Sequence, residues 1–188
     1  EQVDLSGINT YANLDDLLRD PQVELVDIAL PTFLHADIAV RALEAGIDVI
    51  TEKPMSTAVD KIRRILDAEK RTGKRVDVSF NYRYAPTAAK IKELLNAGEI
   101  GRITSVDFHW YLDTKHGADY FRRWHSNKDI SGGLMIHKAT HHFDLVNWWL
   151  GSEPEQVQAY GKREFYTPKM AQRMGLQGPH ERCRTCPE

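Results

Sequence analysis

Lys53 is the residue whose type and placement most suggest chemistry. It follows a short apolar run, Asp48-Val49-Ile50-Thr51, and sits within Glu52-Lys53-Pro54. A lysine set where a parallel strand gives way to a loop stands at the C-terminal rim of its sheet, the edge at which open α/β folds bind ligands. Its amine starts near a pKa of ~10.4, and burial or a nearby cation can lower that far enough for proton transfer near neutral pH. A second group lies downstream, in His137, His141 and Asp144. On a helix expected from about Leu134 to Leu150 they fall at i, i+4 and i+7 and share one face. Histidine suits proton exchange because its unperturbed pKa is ~6.5. His142 is turned about 100° from His141 on such a helix and is not assigned the same work. A third group is His180, Cys183 and Cys186. A closed zinc site needs a fourth ligand, and a lone Cys-x-x-Cys equally suits free thiols or a redox pair, so no metal is expected. His137-x-x-x-His141 has helical metal spacing but lacks the glutamate of His-Glu-x-x-His.

The elements that must position these residues can be read around them. Val23 to Leu30 alternates and then turns apolar, as a mostly buried strand does, and Pro31 ends it. Thr32-Phe33-Leu34-His35 leads into a helix over about Ala36–Ala45, with Ile38, Ala39, Ala42, Leu43 and Ala45 as its apolar face and Gly46 closing it. The strand Asp48–Thr51 follows at once. Such strand–helix–strand units pair their strands in parallel. Thr57-Ala58-Val59-Asp60 reads as an N-terminal cap with an acid three residues on, opening a helix that runs to about Thr72. Gly73 stops it, and Arg75 to Phe80 is the next strand. A short helix around Leu14–Arg19 precedes the first strand. Beyond a boundary near Phe80–Ala85, a helix is expected over Thr87–Ala97, and Arg102 to Tyr111 has strand-like alternation.

Composition limits the function classes. The 188 residues carry a net charge of −2, and no long basic run supports nucleic-acid binding. No apolar stretch approaches the ~20 residues of a membrane helix. A soluble, cytoplasmic chain with no membrane partner is expected, with export left open because no N-terminal signal can be read.

In order along the chain, Leu30-Pro31-Thr32-Phe33-Leu34-His35, Ala42-Leu43-Glu44-Ala45-Gly46, Glu52-Lys53-Pro54, Asn81-Tyr82-Arg83-Tyr84 and Ser131-Gly132-Gly133 with His141-His142-Phe143-Asp144 resemble the motifs of the Gfo/Idh/MocA oxidoreductase family. The resemblance implies an α/β chain: a partial Rossmann-like parallel sheet over 1–82, then part of an α+β domain with a mostly antiparallel sheet over 83–188. It implies NAD or NADP as cofactor, a small-molecule carbohydrate or polyol as substrate, and a homo-oligomer. Lys53 and His141 would be the acid/base groups, with His137 beside them. Pro31, Thr32, His35, Glu52, Lys53 and Asn81 would line the cofactor site. Arg83, Tyr84, Trp124, Lys138 and Asp144 would contact substrate. Two departures stand out. The family's Gly-x-Gly-x-x-Gly turn, which lets a pyrophosphate approach a helix N-terminus, is absent, which implies an internal piece of a longer protein. His137 also stands where many members carry an aspartate. Besides a dehydrogenase, that substitution leaves room for a lyase or glycosidase that retains NAD and oxidises its sugar transiently. A non-catalytic sensor on the same fold is the remaining alternative.

Overall fold

The computed structural model describes residues 6–175, which divide into two compact units, the first ending at Ser79 and the second beginning at Phe80. The first unit is an α/β layer. Helix α1 (Leu14–Arg19) is capped by Asn13, whose side-chain oxygen accepts from the Asp16 amide at 3.0 Å. Strands β1 (Leu25–Ile28), β2 (Asp48–Glu52) and β3 (Val76–Ser79) form a parallel sheet in the order β1-β2-β3. Helix α2 (His35–Glu44) crosses from β1 to β2, and α3 (Val59–Thr72) crosses from β2 to β3. The two helices pack on each other and on the sheet around Ile28, Ala39, Ala42, Leu43, Val49, Ile65 and Ala68, all at most 2% exposed. Small residues on α2 let the two helices approach closely, while Ile65 and Leu43 fill the space between layers.

Both crossovers end as their glycines require. The α2 chain reverses at Gly46 (φ +80°), where the Ile47 amide returns to the Ala42 carbonyl. Gly73 (φ +70°) does the same for α3. The start of α3 differs from the expected cap. Thr57 makes no capping bond; Ala58 occupies the N-cap position in extended conformation, and its amide donates to the Ser56 hydroxyl at 3.5 Å. The helix begins one residue too late for Thr57 to reach its free amides.

The second unit is helical: α4 (Pro86–Asn96), α5 (Thr114–Arg122), α6 (Lys128–Ser131), α7 (Gly133–His137), α8 (Thr140–Leu150) and α9 (Pro168–Arg173). Helix α4 packs on α8. The Trp149 indole donates to the Ala88 carbonyl at 3.0 Å, and the Lys92 ammonium donates to the Trp148 carbonyl at 2.7 Å. Lys92 thereby places a cation on the negative end of α8. Two expectations are corrected here. Arg102 to Tyr111 forms no strand, and no strand occurs in this unit among the described residues, so the antiparallel sheet is not seen. Alternation makes a segment fit for pairing, but a strand exists only against a partner. The single helix over Leu134–Leu150 is instead two. The Lys138 and Ala139 amides both converge on the Leu134 carbonyl, at 2.9 and 3.1 Å, and this wider closure interrupts the helix before Thr140. His137 and His141 therefore lie on different helices, and their shared face no longer follows from spacing.

Candidate functional site

In the first unit the register aligns the rim residues. Ile28 pairs with Thr51, Thr51 with Val78, and Glu52 with Ser79. The loops after β1 and β2 thus leave from one edge, carrying Pro31-Thr32 and Lys53-Pro54. Lys53 and Glu52 are half-buried, and the Lys53–Pro54 peptide is cis. The Ser79 hydroxyl reaches the Glu52 carboxylate at 3.5 Å, a weak contact that leaves the carboxylate most of its accepting capacity. Thr32 is buried within a 3₁₀ turn, and Pro31 is half-buried ahead of it.

His35 opens α2 and is 1% exposed. Its Nε2 lies 2.7 Å from the Leu30 carbonyl oxygen and its Nδ1 lies 3.1 Å from that of Pro54. The ring therefore spans the loops after β1 and β2. Both partners are carbonyl oxygens, which only accept, so each contact is made by whichever ring nitrogen carries its hydrogen.

In the second unit His141 is 4% exposed and enclosed by rings. Tyr82 lies face to face with it, centroids 3.9 Å apart and planes 5° from parallel, and Phe80 meets it edge-on at 6.5 Å. The Lys138 ammonium donates to the Tyr82 hydroxyl at 3.1 Å and lies 5.5 Å from that ring's centroid. His142 lies against Trp110 at 4.3 Å and reaches Tyr82 only obliquely, at 6.2 Å between ring centroids. Burial first, and then the charge of Lys138, hold His142 below its ordinary pKa.

Arg83 and Asp144 find each other across 61 residues of chain. Arg83 Nε donates to Oδ2 at 2.8 Å and Nη2 to Oδ1 at 2.5 Å, a two-pronged, charge-assisted pair. The Asp144 hydrogen bond is the main reason the Arg83 guanidinium is held above its usual range, with burial opposing. Phe80 and Trp148 flank the guanidinium at 5.5 and 5.8 Å.

His137 sits in a separate group. Its Nδ1 is 2.8 Å from the Tyr120 hydroxyl, with His125 at 4.7 Å and Trp124 at 5.4 Å between ring centroids. Trp124 stacks on His125 at 4.0 Å. The Ser131-Gly132 turn supports this group: the buried Ser131 hydroxyl donates to the His125 carbonyl at 2.8 Å. Gly132 needs its identity twice, because φ is +71° and a Cβ there would stand 2.8 Å from Ile136.

Of the expected site residues, Arg83, Lys138, His141 and Asp144 gather around Tyr82 and α8, while His137 and Trp124 form the second group. Tyr84 is 83% exposed, and Asn81 is exposed as well. Sequence reasoning passed over Tyr82 and Tyr120. Tyr82 was within reach, since it lies in Asn81-Tyr82-Arg83-Tyr84, but nothing in that string indicates which histidine its ring covers. The His180, Cys183 and Cys186 group lies outside the described residues, among which no group of three or more metal-ligating side chains occurs.

Comparison with known proteins follows this geometry. Residues 1–80 match the model of the Gfo/Idh/MocA oxidoreductase family, NAD-binding Rossmann fold, and residues 92–185 match the model of its C-terminal alpha/beta domain. The chain belongs to the Gfo/Idh/MocA oxidoreductase family. The Bacillus subtilis protein named "Putative oxidoreductase YteT" is 51% identical over 154 residues, covering 82% of this chain and 36% of that protein. Inositol 2-dehydrogenase of Rubrobacter xylanophilus is 30% identical over 162 residues, covering 83% and 42%. The solved structure of levoglucosan dehydrogenase in complex with NADH and levoglucosan superposes with a TM-score of 0.63 at 34% identity, covering 75% of this chain and 38% of that one. The chain thus spans about two fifths of the length of the relatives it matches.

The rim residues fit part of a dinucleotide. The half-buried Glu52 carboxylate can accept from ribose hydroxyls, and the Lys53 ammonium beside it brings a proton donor to the same rim. The sequence contains no Gly-x-Gly-x-x-Gly turn, the motif that brings a pyrophosphate to a helix N-terminus.

Proposed function

We propose that the protein carrying this chain transfers a hydride between NAD(P) and a hydroxyl-bearing carbon of a sugar or polyol, with Lys53 and His141 as its acid/base groups. The observation that carries the reading is Lys53 itself, half-buried directly after β2 at the ligand-binding edge of a parallel sheet. Relatives named for levoglucosan and inositol dehydrogenation support the substrate class. When bound, the nicotinamide would accept or return the hydride. Glu52 would hold ribose hydroxyls at the rim, Pro31 and Thr32 would shape the loop beneath them, and His35 would keep that loop and the Lys53 loop in register. Asn81 offers both a donor and an acceptor for the carboxamide. In the second unit, an imidazole at His141 would exchange the hydroxyl proton, and His137, tied to Tyr120, would contact a neighbouring hydroxyl. Trp124 is suited to stack on a sugar face.

The test is made on the full-length protein with a panel of sugars and polyols plus NAD or NADP, following reduced cofactor and products together. Lys53→Met is expected to retain NAD(H) binding and lose at least ~10² in turnover, the usual scale for removal of an acid/base group. Unchanged turnover would remove Lys53 from the mechanism. His137, where many members of the family carry an aspartate, leaves room for one second reading, a lyase or glycosidase that retains NAD and oxidises its sugar transiently. Product formed without net NADH would identify it.

A further inference from the structure

We propose that Tyr82 is a positioning residue for His141, and that Lys138 anchors Tyr82 in that role. The inference rests on the reading of His141 as a proton-transfer group. A histidine's χ2 angle is broad and sets the ring plane only loosely, so the orientation of an imidazole must come from its surroundings. Two rings are among the groups that surround His141. Tyr82 lies 3.9 Å away and 5° from parallel, so any turn of the imidazole about χ2 drives its edge into the phenol face. Phe80 closes a second side at 6.5 Å and 76°. At 4% exposure, bulk water has little part in setting the ring.

Tyr82 needs holding in turn, since it lies in a short 3₁₀ turn over Asn81–Tyr84 with no side-chain cap. Lys138 supplies the hold from 56 residues away. Its ammonium donates to the Tyr82 hydroxyl at 3.1 Å, at the outer end of the phenol. Lys138 belongs to the interruption between α7 and α8, three residues before His141. The break that separates His137 from His141 thus places on one short segment both the imidazole and the cation that secures its stacking partner. A continuous helix would set Lys138 about 60° away from His141 around the axis, on a different line of contacts.

The test uses the full-length protein and four variants: Tyr82→Leu, Tyr82→Phe, Lys138→Met and His141→Gln. An aromatic pair of this kind is worth about 2- to 10-fold in a rate or equilibrium, so Tyr82→Leu is expected to lower kcat by about that factor, with KM for the alcohol unchanged. Tyr82→Phe keeps the stacked ring and is expected to recover most of the loss. Tyr82→Phe also loses the bond from Lys138, so Lys138→Met is expected to match it, with a loss smaller than that of Tyr82→Leu. Independently of turnover, the upfield ring-current displacement of the His141 imidazole proton signals should vanish in Tyr82→Leu and persist in Tyr82→Phe. Should Tyr82→Leu fail to fold, Lys138→Met and Tyr82→Phe test the anchor, since each removes the same hydrogen bond: a matching small loss of kcat in both supports it, and wild-type kcat in both overturns it. Wild-type kcat and an unmoved His141 signal in Tyr82→Leu, with His141→Gln slow, would overturn the positioning role alone. Wild-type turnover in His141→Gln would overturn the proton-transfer reading and this inference with it.

Discussion

Replacing Asp144 with asparagine separates two roles for the Arg83–Asp144 pair, holding the second unit together or contacting substrate. The substitution preserves shape and removes the charge that accepts both guanidinium bonds. Asp144 is 9% exposed and Arg83 37%, so one partner is desolvated while the other remains partly screened. Breaking a fully buried pair costs about 3–5 kcal/mol, whereas an exposed pair contributes about 0–1 kcal/mol. The half-screened geometry places Asp144→Asn between these, at about 2 kcal/mol. Arg83 stays charged in the variant, because nothing in that change lowers its pKa below the working range. With a urea dependence of about 1–3 kcal/mol per molar, the unfolding midpoint should fall by about 1 M. Tryptophan emission reports the transition directly, since Trp148 lies against Arg83. A cycle adding Arg83→Met should return a coupling of about 1–2 kcal/mol, with the double variant less destabilised than the sum of the singles. An unshifted midpoint, accompanied by a higher KM for the sugar, would refute the structural assignment and return Asp144 to the substrate.

The His142 imidazole should titrate below 6.5, because burial and Lys138 both oppose its charge. The folded state then binds fewer protons than the unfolded one, so stability is full above about pH 6.5 and declines as pH falls toward the lower folded midpoint. A nuclear magnetic resonance titration with a midpoint at or above 6.5 would contradict this. In the first unit, Leu43→Ala removes a side chain with 0% exposure between α2 and the sheet, and should cost about 2–5 kcal/mol in a denaturation experiment. A loss under 1 kcal/mol, about half the lower bound, would mean that the layer collapses to fill the space.

The first unit was largely legible because its signals are local. Alternation turning apolar from Val23 to Leu30, the apolar run from Asp48 to Thr51, and glycines at Gly46 and Gly73 mark elements and their ends without reference to anything distant. The second unit was less so. Apolar spacing continues through Lys138 and Ala139, and the two amides that meet on Leu134 leave no trace in residue type. Alternation over Arg102–Tyr111 signals a capacity to pair and is silent on the partner. At the candidate site, Lys53 and His141 could be singled out by chemistry, since few side chains exchange protons near neutral pH. The ring over His141 could not, because a stacking contact between Tyr82 and His141 depends on how two distant segments pack. The Arg83–Asp144 pair shows the same limit: both residues stood out by charge, and only packing reveals that each is the other's partner.

The imidazole of His35 has a consequence for how mutational surveys of this protein will read. By bridging the Leu30 and Pro54 carbonyls, it ties the first residue of α2 to two loops that the chain visits 24 residues apart, from Leu30 to Pro54. A survey ranking positions by lost function should score His35 highly, although its ring is buried and faces backbone. Exchanging the loop after β1 for a relative's loop should succeed when the new loop aims its position-30 carbonyl at the imidazole, for the two loops and the ring work as one unit.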